Sequence, residues 1–172
     1  MPPGTQLVAA RSEDSERLAS LSRAAKLTYR EWAQPGWRPP SLAAERARWE
    51  RRLADPGGWT LIASDSAAVI GTVHIVDTRT ERGEGKAIAG RAHLSGLFVL
   101  PARRGEGVGG ALLEAALTEM RSRGYSAAQL FTASANRRSR TFYARRGWRA
   151  ADVDTHTHDD LWLVRYELQL TI

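Results

Sequence analysis

The sequence predicts an α/β fold in which a mixed sheet is flanked by helices. Segments with strand spacing and segments with helical spacing follow one another in the order β-α-α-β-β-β-α-β-α-β-β. At the centre, residues 94–120 run from an apolar strand through a glycine-rich turn directly into a helix. A chain of 172 residues can bury a sizeable core, so we expect residues 1–172 to form a single domain.

The N-terminal third is predicted to contain one strand and two helices. Gln6–Ala10 is the strand, and residues 12–14 supply a cap and first-turn charges for the helix that follows. The apolar side of that helix is formed by Leu18, Leu21, Ala25 and Leu27. Residues 29–40 contain three prolines and a glycine, which interrupt regular structure. Ser41 then caps a second helix that extends to about Leu53.

The rest of the chain supplies the remaining strands and two more helices. Strands are predicted at Trp59–Ala63, Val69–Val76, around His93 and Leu94, at Ala127–Thr132 and at Leu161–Leu170. A polar turn covers residues 65–68 and a longer connection covers residues 78–90. The central helix ends near Arg123, where Gly124 stops it, and another helix covers Asn136–Arg146.

Composition excludes several classes of function. The chain has no cysteine, so it offers no disulfide, thiolate metal site or cysteine nucleophile. It has no apolar run of membrane-spanning length and no secretory core, so we expect a cytoplasmic protein with no membrane partner. The net charge of +6 raises the question of nucleic acid, but the basic residues are spread along the chain. A solvated, arginine-rich surface is favoured over a nucleic-acid site.

The glycine-rich turn is predicted to bind phosphate. Its glycines lack Cβ atoms, so backbone N–H groups can close on an anion at the positive end of the following helix. Gly105, Gly107 and Gly110 satisfy the dinucleotide pattern G-x-G-x-x-G, but Tyr125–Ala135 carries no acidic residue to hold a ribose hydroxyl. A P-loop is excluded because no Lys-Ser or Lys-Thr follows the glycines.

A third phosphate motif matches better. Residues 104–109 read Arg-x-x-Gly-x-Gly and follow a strand that ends at Pro101, which resembles the pyrophosphate loop of the GNAT superfamily, the acyl-CoA-dependent N-acyltransferases. A second segment agrees, because Tyr143 follows Asn136 by seven residues within Phe-Tyr-x-x-x-Gly-Trp, similar to the family's N-x(6)-Y segment and its FYxxxGF ending. The resemblance covers about residues 60–150.

The resemblance implies a mostly antiparallel central sheet whose fourth and fifth strands splay apart to admit the pantetheine arm of acetyl-CoA, with no metal. It implies that Leu97, Phe98 and Val99 face the pantetheine amides. The residues implied to face the pyrophosphate are Arg104, Gly105, Glu106, Gly107, Val108, Gly109 and Gly110. Asn136 is expected to hydrogen-bond the pantetheine, and Ser139 to lie near the nucleotide end.

Acyl transfer from a thioester to an amine needs an uncharged amine, a donor for the developing oxyanion and an acid for the departing thiolate. A backbone N–H at Leu97 or Phe98 is expected to meet the oxyanion. Tyr143 matches the family's usual general acid, since a phenol of pKa about 10 can protonate a thiolate. The alternative for Tyr143 is a core tyrosine on an amphipathic helix.

The base is left open. Ribosomal-protein alanine acetyltransferases, relatives with peptide substrates, place a glutamate five residues before the asparagine, and this chain has Phe131 there. His93 is our first candidate because histidine titrates near neutrality. His74, Glu31 and bound water are the alternatives.

The acceptor side is predicted from aromatic residues. Tyr29, Trp32 and Trp37 lie between the first two helices, a segment that forms part of the acceptor wall in GNAT folds; packing of the core is the alternative. Residues 156–160 read His-Thr-His-Asp-Asp but lack a third spaced ligand, so we expect a loop at the acceptor mouth and no metal site.

We therefore expect an N-acetyltransferase that moves the acetyl group of acetyl-CoA to a primary amine of a small molecule by direct attack in a ternary complex. A non-catalytic acyl-CoA-binding or nucleic-acid-associated module of the same fold is one alternative, and a protein or peptide amine acetyltransferase is another. The oligomeric state is open, with a homodimer as one option.

Overall fold

The computed structural model describes residues 1–66, 68–80, 85–151 and 156–171. The strands are β1 (Thr5–Ala9), β2 (Trp59–Asp65), β3 (Ala68–Arg79), β4 (Ala87–Val99), β5 (Ala127–Ala133), β6 (Arg149–Ala150), β7 (His156–His158) and β8 (Leu161–Gln169). The helices are α1 (Ser15–Leu27), α2 (Leu42–Ala54), α3 (Val108–Ser122) and α4 (Arg137–Ala144). Within the predicted turn and connection, Ala67 and residues 81–84 lie outside the described residues.

One sheet joins the strands in the order β1-β2-β3-β4-β5-β8-β6, and β7 pairs with β8. Neighbouring strands are antiparallel except β4 and β5, which are parallel. Parallel neighbours need a crossover, and α3 supplies it. The predicted fold class, a mixed and mostly antiparallel sheet flanked by helices, is confirmed.

The fourth and fifth strands separate part-way along their length. β4 and β5 pair from Arg91 opposite Ala127 to Leu94 opposite Leu130. Beyond that point β4 continues to Val99 against β3, while β5 continues to Ala133 against β8. A β-bulge marks the same place, because the β3–β4 register shifts around Ser95. The predicted splay is confirmed, and it leaves an opening between the two strands.

Two apolar clusters cover opposite faces of the sheet. In β2, Ala63 packs in the cluster that contains α3, whereas its neighbour Ile62 packs in the cluster that contains α1 and α2. The helix α3 approaches β3 closely, because a Cβ on Gly71 would lie 2.8 Å from Leu112 Cδ1. The layers therefore fix α3, and with it the glycine-rich loop at its start, against the central strands. Among the described residues, no helix is long and apolar enough to cross a membrane.

The segment 156–160 differs from its prediction as a loop. Residues 156–158 form β7, and His158 lies opposite Leu161 of β8. The turn between them uses positive φ angles at Asp159 (48°) and Asp160 (60°), as a two-residue hairpin requires and as aspartate tolerates. Three polar residues carry no apolar alternation, so only the pairing with β8 makes them a strand. One more strand than predicted therefore follows α4.

Candidate active site

The opening between β4 and β5 leads to two cavities that meet. The loop cavity, about 680 Å³, contains the turn before α3 in its wall, together with the first turn of α4. The hairpin cavity, about 920 Å³, lies between α2, the splayed strands and the β7–β8 hairpin. The side chains common to both walls are Tyr29, Leu97, Phe98, Ser139 and Tyr143. Ligands bound in the two cavities would therefore meet at the end of β4.

The glycine loop has the conformation of an anion site. Gly105 and Gly107 both have φ of 85°, a region that side chains rarely adopt. Gly107 is the N-cap of α3 and has no side chain to satisfy the first-turn N–H groups. Those N–H groups, at the positive end of the helix, are left for a ligand.

Basic side chains surround this loop. Arg104, Arg137, Arg138 and Arg146 line the loop cavity. Arg104 is fixed by donating to Thr28 Oγ1 at 3.0 Å, and the Arg146 guanidinium lies 3.8 Å from the centre of the Phe142 ring. Their positive charge suits phosphate groups.

The predicted coenzyme residues come together here with one exception. Those that line the loop cavity are Leu97, Phe98, Val99, Arg104, Gly105, Gly107, Val108, Gly109, Gly110, Asn136, Ser139 and Tyr143. The exception is Glu106, whose carboxylate accepts from Arg103 Nε at 2.7 Å. Arg103 also pairs with Asp65, so this corner of the loop is held by ion pairs.

Asn136 and Tyr143 take their positions from α4. Asn136 is its N-cap: Oδ1 accepts from the Ser139 backbone N–H at 3.1 Å, which leaves the side-chain amide N–H₂ for a ligand. Tyr143 is buried on the inner face of this helix, against Phe142, Trp148 and Tyr166. Its hydroxyl has no hydrogen-bond partner among the described residues. Burial raises the pKa of Tyr143, so the hydroxyl stays protonated and able to donate.

The sequence model of the acetyltransferase (GNAT) family matches residues 26–148, a span that contains the five residues common to both cavity walls. The chain belongs to the acetyltransferase (GNAT) family. It is 31% identical over 158 residues to a mycothiol acetyltransferase of Propionibacterium freudenreichii subsp. shermanii. That match covers 90% of this chain and 46% of the other protein, so the chain spans about half the length of that relative.

Solved structures share the GNAT fold. The PaiA N-acetyltransferase of Thermoplasma acidophilum, solved in complex with coenzyme A, matches with a TM-score of 0.71 at 19% identity, over 94% of this chain and 97% of that one. YncA of Salmonella typhimurium, solved with acetyl-CoA, matches with a TM-score of 0.70 at 21% identity, over 98% and 95% of the two chains.

The candidate bases of this GNAT chain lie in different places. His93 lines the hairpin cavity, and its Nδ1 is buried with no hydrogen-bond partner among the described residues. Burial, reinforced by the positive charge of Arg52, lowers the pKa of His93 to about 4. His74 is held inside β3 by Thr60 Oγ1, 2.8 Å from its Nδ1, and burial lowers its pKa to about 3. Glu31 lines the loop cavity.

The predicted acceptor aromatics form one cluster. Tyr29 lies 4.7 Å from Trp32 and 5.8 Å from Trp37, between ring centres. Trp37 donates from Nε1 to the Asp159 carbonyl at 2.9 Å, which fastens the hairpin turn. Trp37 lines the hairpin cavity, Trp32 the loop cavity and Tyr29 both. Packing is therefore a role of all three, and substrate contact stays a prediction.

Sequence reasoning missed a buried ionic network on the wall of the hairpin cavity. Glu45, which is fully buried, accepts from Lys26 Nζ at 2.5 Å and from Ser22 Oγ at 2.8 Å. Arg48 links this carboxylate to the hairpin. It donates to Glu45 Oε1 at 3.2 Å and makes two hydrogen bonds of 3.1 Å to the Asp159 carboxylate. In the sequence these residues are ordinary charges on helix surfaces, because nothing local shows that α1, α2 and the hairpin meet. Among the described residues, no group of three or more His, Cys, Asp or Glu side chains is placed to hold a metal ion.

Proposed function

We propose that this GNAT-family chain transfers the acetyl group of acetyl-CoA to a primary amine of a small molecule, by direct attack within a ternary complex. The observation that carries the proposal is the shared wall of the two cavities, which brings a phosphate-binding loop and a second, separate cavity to the same end of β4. Two substrates can then occupy their own cavities and react where these join.

The loop cavity fits the acyl donor. Its glycine cradle, positive helix end and arginines suit a pyrophosphate, and the free edge of β4 beyond Leu94 offers backbone groups to pantetheine amides. Bound there, acetyl-CoA supplies the activated acyl group. A backbone N–H at Leu97 or Phe98 is our proposed donor to the thioester oxygen, already fixed by pairing with β3.

The hairpin cavity fits the amine, and His93 is our proposed proton acceptor there. Its low pKa means that the imidazole is neutral at pH 7 and can accept. The same low pKa makes it a weak base toward a free ammonium, whose pKa is near 10. His93 therefore suits removal of the proton after the C–N bond has formed, when the nitrogen is far more acidic.

Tyr143 is our proposed acid. Tyr143 lines both cavities, and its hydroxyl keeps its proton because burial raises its pKa. A hydroxyl in that position can donate to the sulfur as the C–S bond breaks. The names of two relatives support the proposal, since one is a mycothiol acetyltransferase and another was solved with acetyl-CoA.

The test is thiol release from acetyl-CoA across a panel of amines, with small molecules and peptides side by side. Amine-dependent release with a small molecule, and formation of its N-acetyl product by mass, supports the proposal. Faster turnover of peptides would replace the small-molecule acceptor by a peptide. Tight CoA binding with no turnover on any amine would indicate a non-catalytic acyl-CoA-binding module.

A further inference from the structure

One half-buried cation on the wall of the hairpin cavity has no role in the chemistry described above. Arg52, on α2, stacks its guanidinium 4.8 Å from the centre of the Trp49 ring. Its Nη2 donates to the Ser95 carbonyl at 3.0 Å and to Ser95 Oγ at 3.1 Å. Both bonds use one nitrogen, so Nη1 and Nε have no hydrogen-bond partner among the described residues. These two nitrogens of the planar guanidinium are therefore able to donate to a ligand.

The guanidinium lies at the reacting end of the cavity. A Cβ on Gly96 would stand 3.3 Å from Arg52 Nη1, so the absence of a side chain at this position leaves room for the guanidinium. Gly96 directly precedes Leu97, which belongs to both cavity walls. A group bound by Arg52 is therefore close to the place where the two cavities join.

The charge of Arg52 is uncompensated. Among the described residues, no carboxylate lies within ion-pair distance of its guanidinium. Glu45 and Asp159 act on it from further away, and both are already engaged by Lys26 and Arg48. Burial lowers the pKa of Arg52 to about 10, which leaves it cationic at neutral pH. A desolvated cation of this kind gains from an anionic partner.

The charges that line the hairpin cavity as a whole also favour an anionic ligand. Its described lining contains three carboxylates, at Asp55, Asp77 and Asp159. The basic side chains in that lining are more numerous: Lys26, Arg48, Arg51, Arg52, Arg79 and Arg165. Basic walls of low polarity raise the local concentration of anions.

We propose that the acceptor amine carries an anionic group, a carboxylate or a phosphate, and that the Arg52 guanidinium binds it. This inference rests on the proposed acetyl transfer, in which the amine nitrogen forms the new C–N bond, the C–S bond breaks and the amine proton leaves. The anionic group takes no part in those bonds. Arginine suits the role because its planar donor fork matches carboxylate and phosphate oxygens. Since Arg52 lies beside Gly96 and Leu97, a short spacer joins the anion to the amine.

The test uses matched acceptors that differ only in the anion. One arm compares amino acids with their amides, and a second compares O-phosphoethanolamine with ethanolamine; the two arms separate a carboxylate from a phosphate. With acetyl-CoA saturating, the anionic member of at least one arm is expected to have a kcat/KM about tenfold to a hundredfold higher, mainly through KM. Equal rates, or a preference for the neutral members in both arms, would overturn the inference while leaving acetyl transfer intact.

Variants assign the preference to Arg52. Arg52→Gln should remove most of the preference, so that the two members of each pair have similar kcat/KM values, whereas Arg52→Lys should keep a weaker preference because it retains the charge without the fork. The matched control is Arg46→Gln, which removes the same charge from the outer face of α2, where Arg46 pairs with Glu50 at 2.9 Å. If kcat/KM falls by the same factor for the anionic and the neutral acceptor of a pair, Arg52 only supports the Ser95 bulge. Unchanged melting shifts with CoA show that each variant is folded.

Binding gives a readout without turnover. In the presence of CoA, calorimetry should show tighter binding of N-acetyl amino acids than of N-acetyl amides, and Arg52→Gln should abolish the difference. Failure of acetyl transfer with this difference intact overturns the proposed function alone. The inference of an anionic acceptor is overturned if N-acetyl amino acids bind no more tightly than N-acetyl amides and the N-acetyl product of O-phosphoethanolamine binds no more tightly than that of ethanolamine.

Discussion

At the scale of single residues, two neighbouring tyrosines in one buried cluster differ in the partners of their hydroxyl groups. Tyr143 and Tyr166 have ring centres 6.5 Å apart and are both almost fully buried. The Tyr166 hydroxyl accepts from Arg140 Nε at 3.3 Å, whereas Tyr143 lines both cavities and its hydroxyl has no hydrogen-bond partner among the described residues. A tyrosine that packs and the tyrosine that we propose as the acid can therefore be compared within one cluster.

Tyr143→Phe should lower turnover by about 10² to 10⁴ when chemistry limits the rate, with little change in CoA affinity, because it removes only the proton donor. Steady-state kinetics at saturating amine measures this. Tyr166→Phe is the control and should cost about 1 kcal/mol of stability at most, with turnover nearly unchanged. If the two variants have the same activity, Tyr143 is not the acid.

The buried histidines make a prediction about acid stability. In the folded chain the pKa of His74 is about 3 and that of His93 about 4, both below the unfolded value of 6.5. Between pH 6.5 and 4 the unfolded state therefore binds more protons, and the stability present above pH 6.5 is lost as the pH falls. Each histidine contributes a slope of up to about 1.4 kcal/mol per pH unit.

Urea unfolding at pH 7 and pH 4.5 measures that slope. His74→Gln should reduce the loss between the two pH values, because glutamine does not titrate, whatever it does to stability at pH 7. If wild type and variant lose the same free energy of unfolding between pH 7 and pH 4.5, the pKa of His74 is not lowered by folding, which contradicts the prediction.

At the scale of elements, the start of α3 and its end place glycines in the same backbone conformation for different purposes. Gly107, with φ of 85°, opens the helix toward the loop cavity. Gly124, with φ of 79°, follows the helix and has open space around it. Both positions need glycine for conformation, and only Gly107 lies in the loop that we propose binds CoA.

Gly107→Val should abolish most of the thermal stabilisation by CoA, because a side chain there strains and narrows the loop proposed to bind the pyrophosphate; its Cβ would also lie 3.1 Å from the Met1 backbone nitrogen. At 100 times its dissociation constant, CoA should stabilise the wild type by about 2.7 kcal/mol. Gly124→Val is the matched control: it carries similar backbone strain and should keep the full shift. A retained shift in Gly107→Val, or a shift with NADH in place of CoA, would contradict the assignment of the loop.

The helices α1 and α2 and the β7–β8 hairpin are joined by the network around Glu45. Glu45→Gln leaves the buried charges of Lys26 and Arg48 without their shared carboxylate, so the free energy of unfolding should fall by about 3 to 5 kcal/mol. Glu50→Gln breaks only the exposed pair with Arg46 and should cost less than about 1 kcal/mol. Chemical denaturation compares the two, and equal losses would contradict a structural role for the network.

At the scale of the whole molecule, prediction from sequence succeeded where local chemistry determines structure. The glycine loop and the Asn136–Tyr143 segment each carry their family signature within a few residues, so the family and the splayed sheet could be inferred. Most residues predicted to bind the coenzyme line one cavity, and their role stays a prediction. The features that were missed depend on distant contacts. Glu45 and Arg52 are typical surface charges in the sequence, and only the packing of α2 against its neighbours buries Glu45 and half-buries Arg52. The strand β7 likewise exists only through β8.

At the same scale, the proposed direct transfer predicts a kinetic order in which both substrates are bound before the acetyl group moves. The two cavities that share one wall are compatible with that order, and the sequence has no cysteine to carry the acetyl group between them. Initial velocities measured while both acetyl-CoA and an active amine are varied test this most directly. We expect double-reciprocal lines that intersect, with thiol release that depends on the amine. Parallel lines, or a burst of thiol in the absence of amine, would show an acyl-enzyme and contradict direct transfer.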